Sequence, residues 1–130
     1  RGWVEGERAQ ETFGWLSERG ATFVCTDMPS AEDTDAPTVM PPVDAVTTDR
    51  LAYLRLHGRN ARGWVKGRSV AERFGYRYDA AELEEVARRA EGLAEEADTV
   101  RVMFNNNRGD DAPAAATHLR ALLQQKPAVA

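Results

Sequence analysis

Cysteine, histidine and long apolar runs are scarce in this chain of 130 residues, and each scarcity excludes a class of protein. The single cysteine, Cys25, excludes an internal disulfide and fits a reducing compartment, so we expect a cytoplasmic protein. No stretch approaches the roughly 18 consecutive apolar residues of a membrane span, so we expect no membrane partner. The chain starts at Arg1 with neither an initiator methionine nor the apolar region of a signal peptide, which predicts an internal piece of a longer protein.

Short catalytic and cofactor motifs are also missing. The sequence contains no P-loop, no GxGxxG, and no HExxH, CxxC or GxSxG pattern. Asp27, His57 and Asn105 are too few strong ligands for a zinc or two-metal centre. The sequence therefore assigns no metal ligand and leaves any cofactor unknown.

The composition is that of one ordinary globular domain, with 42% hydrophobic and 29% charged residues. The net charge is −4, which gives no general reason to expect nucleic acid as a partner. One segment reverses this balance, because seven basic residues and a single acid, Glu72, lie between Arg55 and Tyr78. This local excess of positive charge is the main electrostatic indication of a ligand.

Periodicity and end signals predict an alternation of helices and strands. Apolar spacing of three and four predicts a helix over Glu7–Arg19 that stops at Gly20. A second helix is expected after Asp79, which forms a capping-box pattern with Glu82. A third is expected from about Asp111, with Pro113 in its first turn. The predicted strands are Ala21–Thr26, Leu51–Leu56 and Thr99–Phe104, and the predicted loops are 30–49 and the basic, aromatic stretch after Asn60.

This order predicts an α/β fold with three parallel strands and flanking helices. The connections into the strands are short, whereas those leaving Asp27, His57 and Asn105 are long and polar. In parallel sheets the strand exits share one side, where ligands bind. Three parallel strands cannot close a barrel, so either a missing amino-terminal half completes the sheet or the segment pairs with another chain.

Alternation along the strands predicts which side chains face away from the helices. In the second strand these are Tyr53, Arg55 and His57. The third strand adds Arg101, Met103 and Asn105, and the first allows Phe23, Cys25 and Asp27. An arginine on this face needs an anion, which the protein or a ligand must supply.

Two interpretations of these polar residues remain open. In the structural one, Asp27 neutralises Arg55 and the other side chains satisfy one another. In the functional one, Arg55, His57, Arg59 and Asn60 form an anion or phosphate clamp in which His57 exchanges a proton.

The basic stretch has two interpretations of its own. Aromatic residues alternate there with cations, which is typical of surfaces that stack bases and follow phosphates. The alternative is an exposed loop whose rings pack on the rim of the sheet. The aromatic residues are Trp64, Phe74, Tyr76 and Tyr78.

Two blocks carry a family resemblance: Leu54–Asn60 (LRLHGRN) followed by Trp64 and Arg73–Tyr78 (RFGYRY), and Phe104–Asn107 (FNNN) followed by Gly109 and Ala112. With this spacing, the stretch from about Ala21 to Leu123 resembles the second half of the YecE-like domain of unknown function, family 72. The resemblance implies the carboxy-terminal part of a TIM-type (β/α) barrel, with no established activity. The chain departs from the family pattern where Phe74, Asn107 and Ala115 replace a frequent Tyr, His and Asn.

The leading hypothesis is an enzyme that acts on a phosphate-bearing small molecule or on a ligand resembling single-stranded nucleic acid. Its predicted catalytic residues are His57, Arg55 and Asp27. Its predicted ligand-binding residues are Arg59, Asn60, Trp64, Tyr76, Tyr78, Asn105 and Asn106. The alternative is a non-catalytic module that binds nucleic acid or an anionic metabolite, and the sequence sets no oligomeric state.

Overall fold

The computed structural model describes residues 2–30, 34 and 39–125. Five helices and three strands of this part define the fold. In chain order they are α1 (Glu7–Glu18), β1 (Val24–Asp27), β2 (Ala52–Leu56), α2 (Ala61–Lys66), α3 (Val70–Phe74), α4 (Ala80–Ala94), β3 (Val100–Phe104) and α5 (Asp111–Gln125). The predicted α/β fold is therefore confirmed. None of the helices described is long and apolar enough to cross a membrane.

The three strands form one parallel sheet in the order β1-β2-β3. Helices α4 and α5 cover one face, where Leu54 and Leu56 of β2 are fully buried against Leu83 and Val86 of α4. On the opposite face, which we call the open face, Arg101 and Met103 of β3 are exposed. The predicted alternation of β2 and β3 is thus confirmed, and it leaves Tyr53 and Arg55 on the open face.

The predicted orientation of the first strand is wrong. In the parallel register Cys25 lies beside Leu54 and Asp27 beside Leu56, so both point towards the helices. Phe23 packs edge-to-face on Phe13 of α1, with ring centroids 5.0 Å apart. The prediction failed because it placed the charged Asp27 away from the apolar core, whereas arginines on the helix side compensate its charge.

The predicted helix ends are largely confirmed. Gly20 adopts a positive φ of 60° just after α1. At the start of α4 the Asp79 carboxylate accepts from the Glu82 amide at 2.9 Å, and the Glu82 carboxylate accepts from the Asp79 amide at 2.9 Å. Both halves of the capping box are present.

The stretch predicted as a basic, aromatic loop contains two short helices instead. We call residues 61–74, which comprise α2 and α3, the α2–α3 hairpin. The Asn60 side chain caps α2 by accepting from the Gly63 amide at 2.9 Å, and its amide donates to the carbonyls of Glu72 and Gly75 at 3.0 Å each. Ser69 caps α3 through the Glu72 amide at 3.2 Å. These caps make the hairpin regular although its sequence shows no helical period.

Residues 39–49 of the predicted 30–49 loop contain no helix or strand, and residues 31–33 and 35–38 lie outside the described residues. The end of this loop is tied to the approach to β1. The Thr47 hydroxyl donates to the Ala21 carbonyl at 2.7 Å and accepts from the Phe23 amide at 2.8 Å. The buried Cys25 thiol donates to the Ala45 carbonyl at 3.6 Å.

Alanine at two glycines should change stability in opposite directions. Gly58 has φ +85°, and a Cβ there would lie 2.5 Å from the Cβ of Tyr76. We expect Gly58→Ala to lower the free energy of unfolding by about 2 kcal/mol or more, from backbone strain and overlap. Gly92 is helical with nothing near its Cβ position, so Gly92→Ala should raise it by about 0.5–1 kcal/mol. Urea unfolding of both variants would check this, and a neutral Gly58→Ala would contradict it.

Candidate functional site

The buried carboxylate of Asp27 is the centre of a polar cluster at the end of β1. Arg59 donates to it from Nη2 at 2.7 Å and from Nε at 3.1 Å. Arg89 of α4 donates to it at 2.9 Å, and so does the hydroxyl of Tyr78. We call Asp27, Arg59, Tyr78, Arg89 and their outer carboxylates the Asp27 cluster.

Each arginine of the cluster also has an outer acidic partner. Arg59 Nη1 donates to Glu85 at 2.9 Å, and Arg89 forms a two-bond pair with Asp44 at 2.7 and 2.8 Å. The hydrogen bond to Asp27 raises the pKa of Arg59. Burial by itself would lower the pKa of Arg89, but its bonds and charges with Asp44 and Asp27 raise it overall. Both guanidinium groups are therefore neutralised by the protein.

Tyr78 is a core residue with a polar tip. It is 5% exposed, and its hydroxyl accepts from the Gly58 amide at 3.0 Å while donating to Asp27. Burial, followed by the negative charge of Asp27, raises the pKa of Tyr78. The hydroxyl therefore stays protonated and fixes Asp27 relative to the turn after β2.

A cavity of about 480 Å³ adjoins the Asp27 cluster at the exit of β1. Met28, Met40 and Pro42 supply its apolar wall, and Arg59 and Arg89 its polar one. Since these arginines already donate to carboxylates, the cavity offers less to an anionic ligand than two free guanidinium groups would.

A second group of polar residues lies across the sheet, at the carboxyl ends of β2 and β3. Arg55 on the open face donates from Nη2 to the Asn105 side-chain oxygen at 3.1 Å. Its Nε is buried and has no partner among the described residues. Asp27 lies on the other face, so the interpretation in which Asp27 neutralises Arg55 is wrong. We call Arg55, His57, Asn105 and Asn106 the strand-end site.

His57 sits against the inner side of the α2–α3 hairpin. Its ring centroid lies 5.7 Å from that of Phe74 and 6.2 Å from that of Trp64. Burial and then the positive charge of Arg55 lower the pKa of His57, and the charge of Asp27 opposes this only in part. The imidazole is therefore held neutral and able to accept a proton.

Three buried polar atoms of the described structure lack a hydrogen-bond partner, and all three belong to the strand-end site. They are Nε of Arg55, Nδ1 of His57 and Oδ1 of Asn106. Asn106 is only 4% exposed, and its amide donates to the Tyr76 carbonyl at 2.7 Å. Buried polar atoms are normally paired, so three unpaired ones together distinguish this site from the saturated Asp27 cluster.

The remaining predicted site residues serve the local structure. Asn60 uses its whole amide to hold the α2–α3 hairpin. Trp64 packs edge-to-face on Phe74, with centroids 5.4 Å apart. The hydroxyl of Tyr76 donates to Glu82, and its ring packs on Tyr78 at 5.1 Å. All four aromatic residues of the stretch are thus at least half-buried, as the rim-packing alternative predicted.

Three residues of the Asp27 cluster are not predicted from the sequence: Arg89, Asp44 and Glu85. A signal for Arg89 was present, because it lies three residues after Val86 and four before Leu93, both on the buried stripe of α4. A charged residue between the positions of an apolar stripe lies close to the core, where it needs a partner of opposite charge. Asp44, in an irregular segment, carries no comparable signal.

The whole chain, residues 1–130, matches the family described as "Protein of unknown function DUF72". The chain belongs to the DUF72 family. The resemblance noted from the LRLHGRN and FNNN blocks is thereby confirmed.

The relatives of this DUF72 chain include a curated protein of similar sequence and solved structures of similar fold. The UPF0759 protein YunF of Bacillus subtilis is 32% identical over 116 residues, which are 86% of this chain and 40% of YunF. A crystal structure of a DUF72 family protein from Thermotoga maritima superposes with a TM-score of 0.80 and 31% identity, covering 95% of this chain and 43% of that one. One from Enterococcus faecalis gives 0.78 and 30%, covering 95% and 45%. The chain therefore spans less than half the length of these relatives.

Removal of the Asp27 charge should strongly destabilise the folded state of this DUF72 chain. Asp27→Asn leaves Arg59 and Arg89 with less compensation in the interior, so we expect a loss of roughly 3–5 kcal/mol in the free energy of unfolding. Asp110→Asn removes the negative charge from the exposed ion pair with Arg77 and should cost less than about 1 kcal/mol. Urea unfolding of both variants measures the difference, and equal small losses would contradict a central role for Asp27.

The lowered pKa of His57 predicts a pH dependence of stability. Below the ordinary histidine pKa of about 6.5 the unfolded chain binds a proton that the folded chain resists. The neutral imidazole therefore contributes its full stabilisation above about pH 6.5. This contribution is lost as the pH falls towards the pKa that His57 has in the folded chain. His57→Gln should lose less stability than the unmodified protein between about pH 7.5 and 5. If the free energy of unfolding fell equally with pH in His57→Gln and in the unmodified protein, the imidazole would not be buried and neutral.

Proposed function

We propose that the protein is an enzyme acting on a phosphate-bearing or nucleic-acid-like ligand bound at the strand-end site. The observation that carries this proposal is that three buried polar atoms without a partner all belong to residues at the carboxyl ends of β2 and β3, namely Arg55, His57 and Asn106. Each has lost hydration without gaining a partner, which is costly unless a ligand completes the site. The position at the carboxyl ends of parallel strands supports the same assignment.

Arg55 is the proposed anion-binding group. Its one described partner is the neutral side-chain oxygen of Asn105, whereas Arg59, Arg77 and Arg89 all contact carboxylates. A half-buried guanidinium without a carboxylate favours a phosphate or carboxylate ligand, to which it can donate two parallel hydrogen bonds. Asn105 is then the residue that orients the Arg55 guanidinium.

His57 is the proposed proton acceptor. Its neutral form is favoured by burial and by Arg55, so it can take a proton from a ligand hydroxyl or a water at neutral pH. A negative ligand beside Arg55 would stabilise the imidazolium that results. Asp27, Arg59, Asn60, Trp64, Tyr76 and Tyr78 then act by holding these groups in place rather than by contacting the ligand.

We also propose that the sheet is the carboxy-terminal part of a TIM-type (β/α) barrel, the remainder of one domain lying outside residues 1–130. Three features support this: the parallel strands, the two long helices α4 and α5 that cover one face of the sheet, and relatives more than twice as long. The open face then lines the barrel interior, with the strand-end site at its ligand-binding end. The buried, free Cys25 fits the proposed cytoplasmic location.

A non-catalytic anion-binding module is the second candidate, and one observation favours it. A catalytic histidine is commonly oriented by a carboxylate. Asp27 is already bonded to Arg59, Arg89 and Tyr78, and no described carboxylate hydrogen-bonds His57. The strand-end site could then bind an anion without turning it over.

Binding of inorganic phosphate by the full-length protein, measured by calorimetry, tests the site. We expect Arg55→Gln to weaken binding about tenfold or more, because a charge-assisted pair contributes roughly 1.5–3 kcal/mol. Arg101→Gln removes an equal charge from an exposed position on the same face and should leave the affinity within about twofold. If phosphate affinity fell in neither variant, or fell equally in both, the proposed site would be refuted.

A turnover assay on phosphomonoesters and short oligonucleotides separates the two candidates. For an enzyme, His57→Gln should lower kcat by roughly 10²–10⁴ while phosphate affinity changes little. The module predicts saturable binding with no hydrolysis by either protein.

A further inference from the structure

The outer surface of the α2–α3 hairpin carries a concentrated positive charge. Arg62, Lys66, Arg68 and Arg73 are all exposed, and none forms an ion pair with another described residue. Glu72 is the single acid of residues 61–74, and its carboxylate accepts from the Arg68 amide at 2.7 Å. The chain as a whole has a net charge of −4, so this surface differs in sign from the rest of the protein.

The hairpin holds these cations on a fixed backbone. A Cβ on Gly63 would overlap the Glu72 carbonyl oxygen, and one on Gly67 would overlap the Arg73 side chain, so the two short helices are in close contact. Asn60 ties the start of α2 to the end of α3 through two backbone carbonyls. A charged surface on a rigid support loses little entropy when it binds an extended anion.

The hairpin also adjoins the strand-end site. Trp64 and Phe74 project from it onto His57, with ring centroids 6.2 and 5.7 Å away. A ligand that reaches Arg55 and His57 therefore has the basic hairpin beside it.

The apolar side chains of the hairpin narrow the choice of partner. Its aromatic rings point inward, and the large apolar residues it exposes are Val65 and Val70, at 54% and 57%. Binding to a membrane surface relies on exposed Trp, Phe and Leu beside the cations. Exposed cations without exposed rings suit recognition of phosphates with no reading of bases.

We propose that the ligand of the strand-end site is a nucleic acid strand longer than one nucleotide, with one phosphate at Arg55 and neighbouring phosphates on the α2–α3 hairpin. The inference rests on the proposed function and specifies its substrate as a polymer. It requires affinity to grow with the number of phosphates and to be independent of base sequence.

The experiment measures binding of inorganic phosphate and of labelled oligonucleotides of about two to about sixteen nucleotides to the full-length protein. The test variant is Arg62→Gln/Lys66→Gln/Arg68→Gln, whose side chains make no described hydrogen bond that the fold requires. The matched control is Arg50→Gln/Arg88→Gln/Arg120→Gln, which removes three exposed charges elsewhere. Circular dichroism verifies that both are folded.

In the unmodified protein and the control, affinity should rise with length and fall with salt. In the test variant, phosphate binding should persist while the rise with length disappears. The slope of log affinity against log salt should become shallower by about 2, because each phosphate that the variant no longer neutralises accounts for roughly 0.7 of the slope.

Distinct outcomes separate this inference from the proposed function. Phosphate binding that depends on Arg55 but shows no length dependence would overturn the inference and leave the proposed function standing. If Arg55→Gln changed neither length-dependent binding nor phosphate binding, both would be overturned, since neither ligand would use the strand-end site. Preference for anionic phospholipid vesicles over oligonucleotides, abolished in the test variant, would overturn the nucleic acid assignment in favour of a membrane surface.

Discussion

Burial of the charged Asp27 carboxylate is the constraint on which most of the described structure depends. The carboxylate is one negative charge in the interior, and it receives hydrogen bonds from Arg59, Tyr78 and Arg89. These partners come from the turn after β2, the approach to α4, and α4 itself. A buried charge is tolerated only when its partners are in place, so the positions of these segments depend on one another. The sheet and its covering helix are thereby joined by a polar contact at the carboxyl end of β1 as well as by apolar packing.

The same contact separates two arginines that lie four residues apart. Arg59 turns to the helix side to reach Asp27, while Arg55 stays on the open face with Asn105. Gly58, with φ +85° and Tyr76 packed against it, makes this reversal possible. One short segment therefore supplies a saturated structural arginine and a half-buried arginine without a carboxylate. The difference in partners, rather than the residue type, assigns them different roles.

The sequence predicted the helices and strands better than it predicted how their side chains meet. The spacing of apolar residues and the Asp79–Glu82 pattern are local signals, and the helices, strands and cap that they predict are present. The face to which Asp27 points is not local, because alternation relates residues within a strand and leaves the register between strands undetermined. A two-residue period also predicts nothing about which of several nearby arginines reaches a given carboxylate. The α2–α3 hairpin was missed because Asn60 and Ser69 stabilise helices too short to show a period.

Conformation and surface chemistry are determined by separate residues in the α2–α3 hairpin. Asn60, Gly63, Gly67 and Ser69 fix the backbone through caps and close contacts, whereas the side chains of the exposed Arg62, Lys66 and Arg68 make no described hydrogen bond. Mutations in the exposed set can therefore accumulate without disturbing His57 behind it. Under the proposed function, a protein built in this way can diverge in the partners that it accepts while its strand-end site stays constant, and related proteins could acquire different specificities by changing three surface codons.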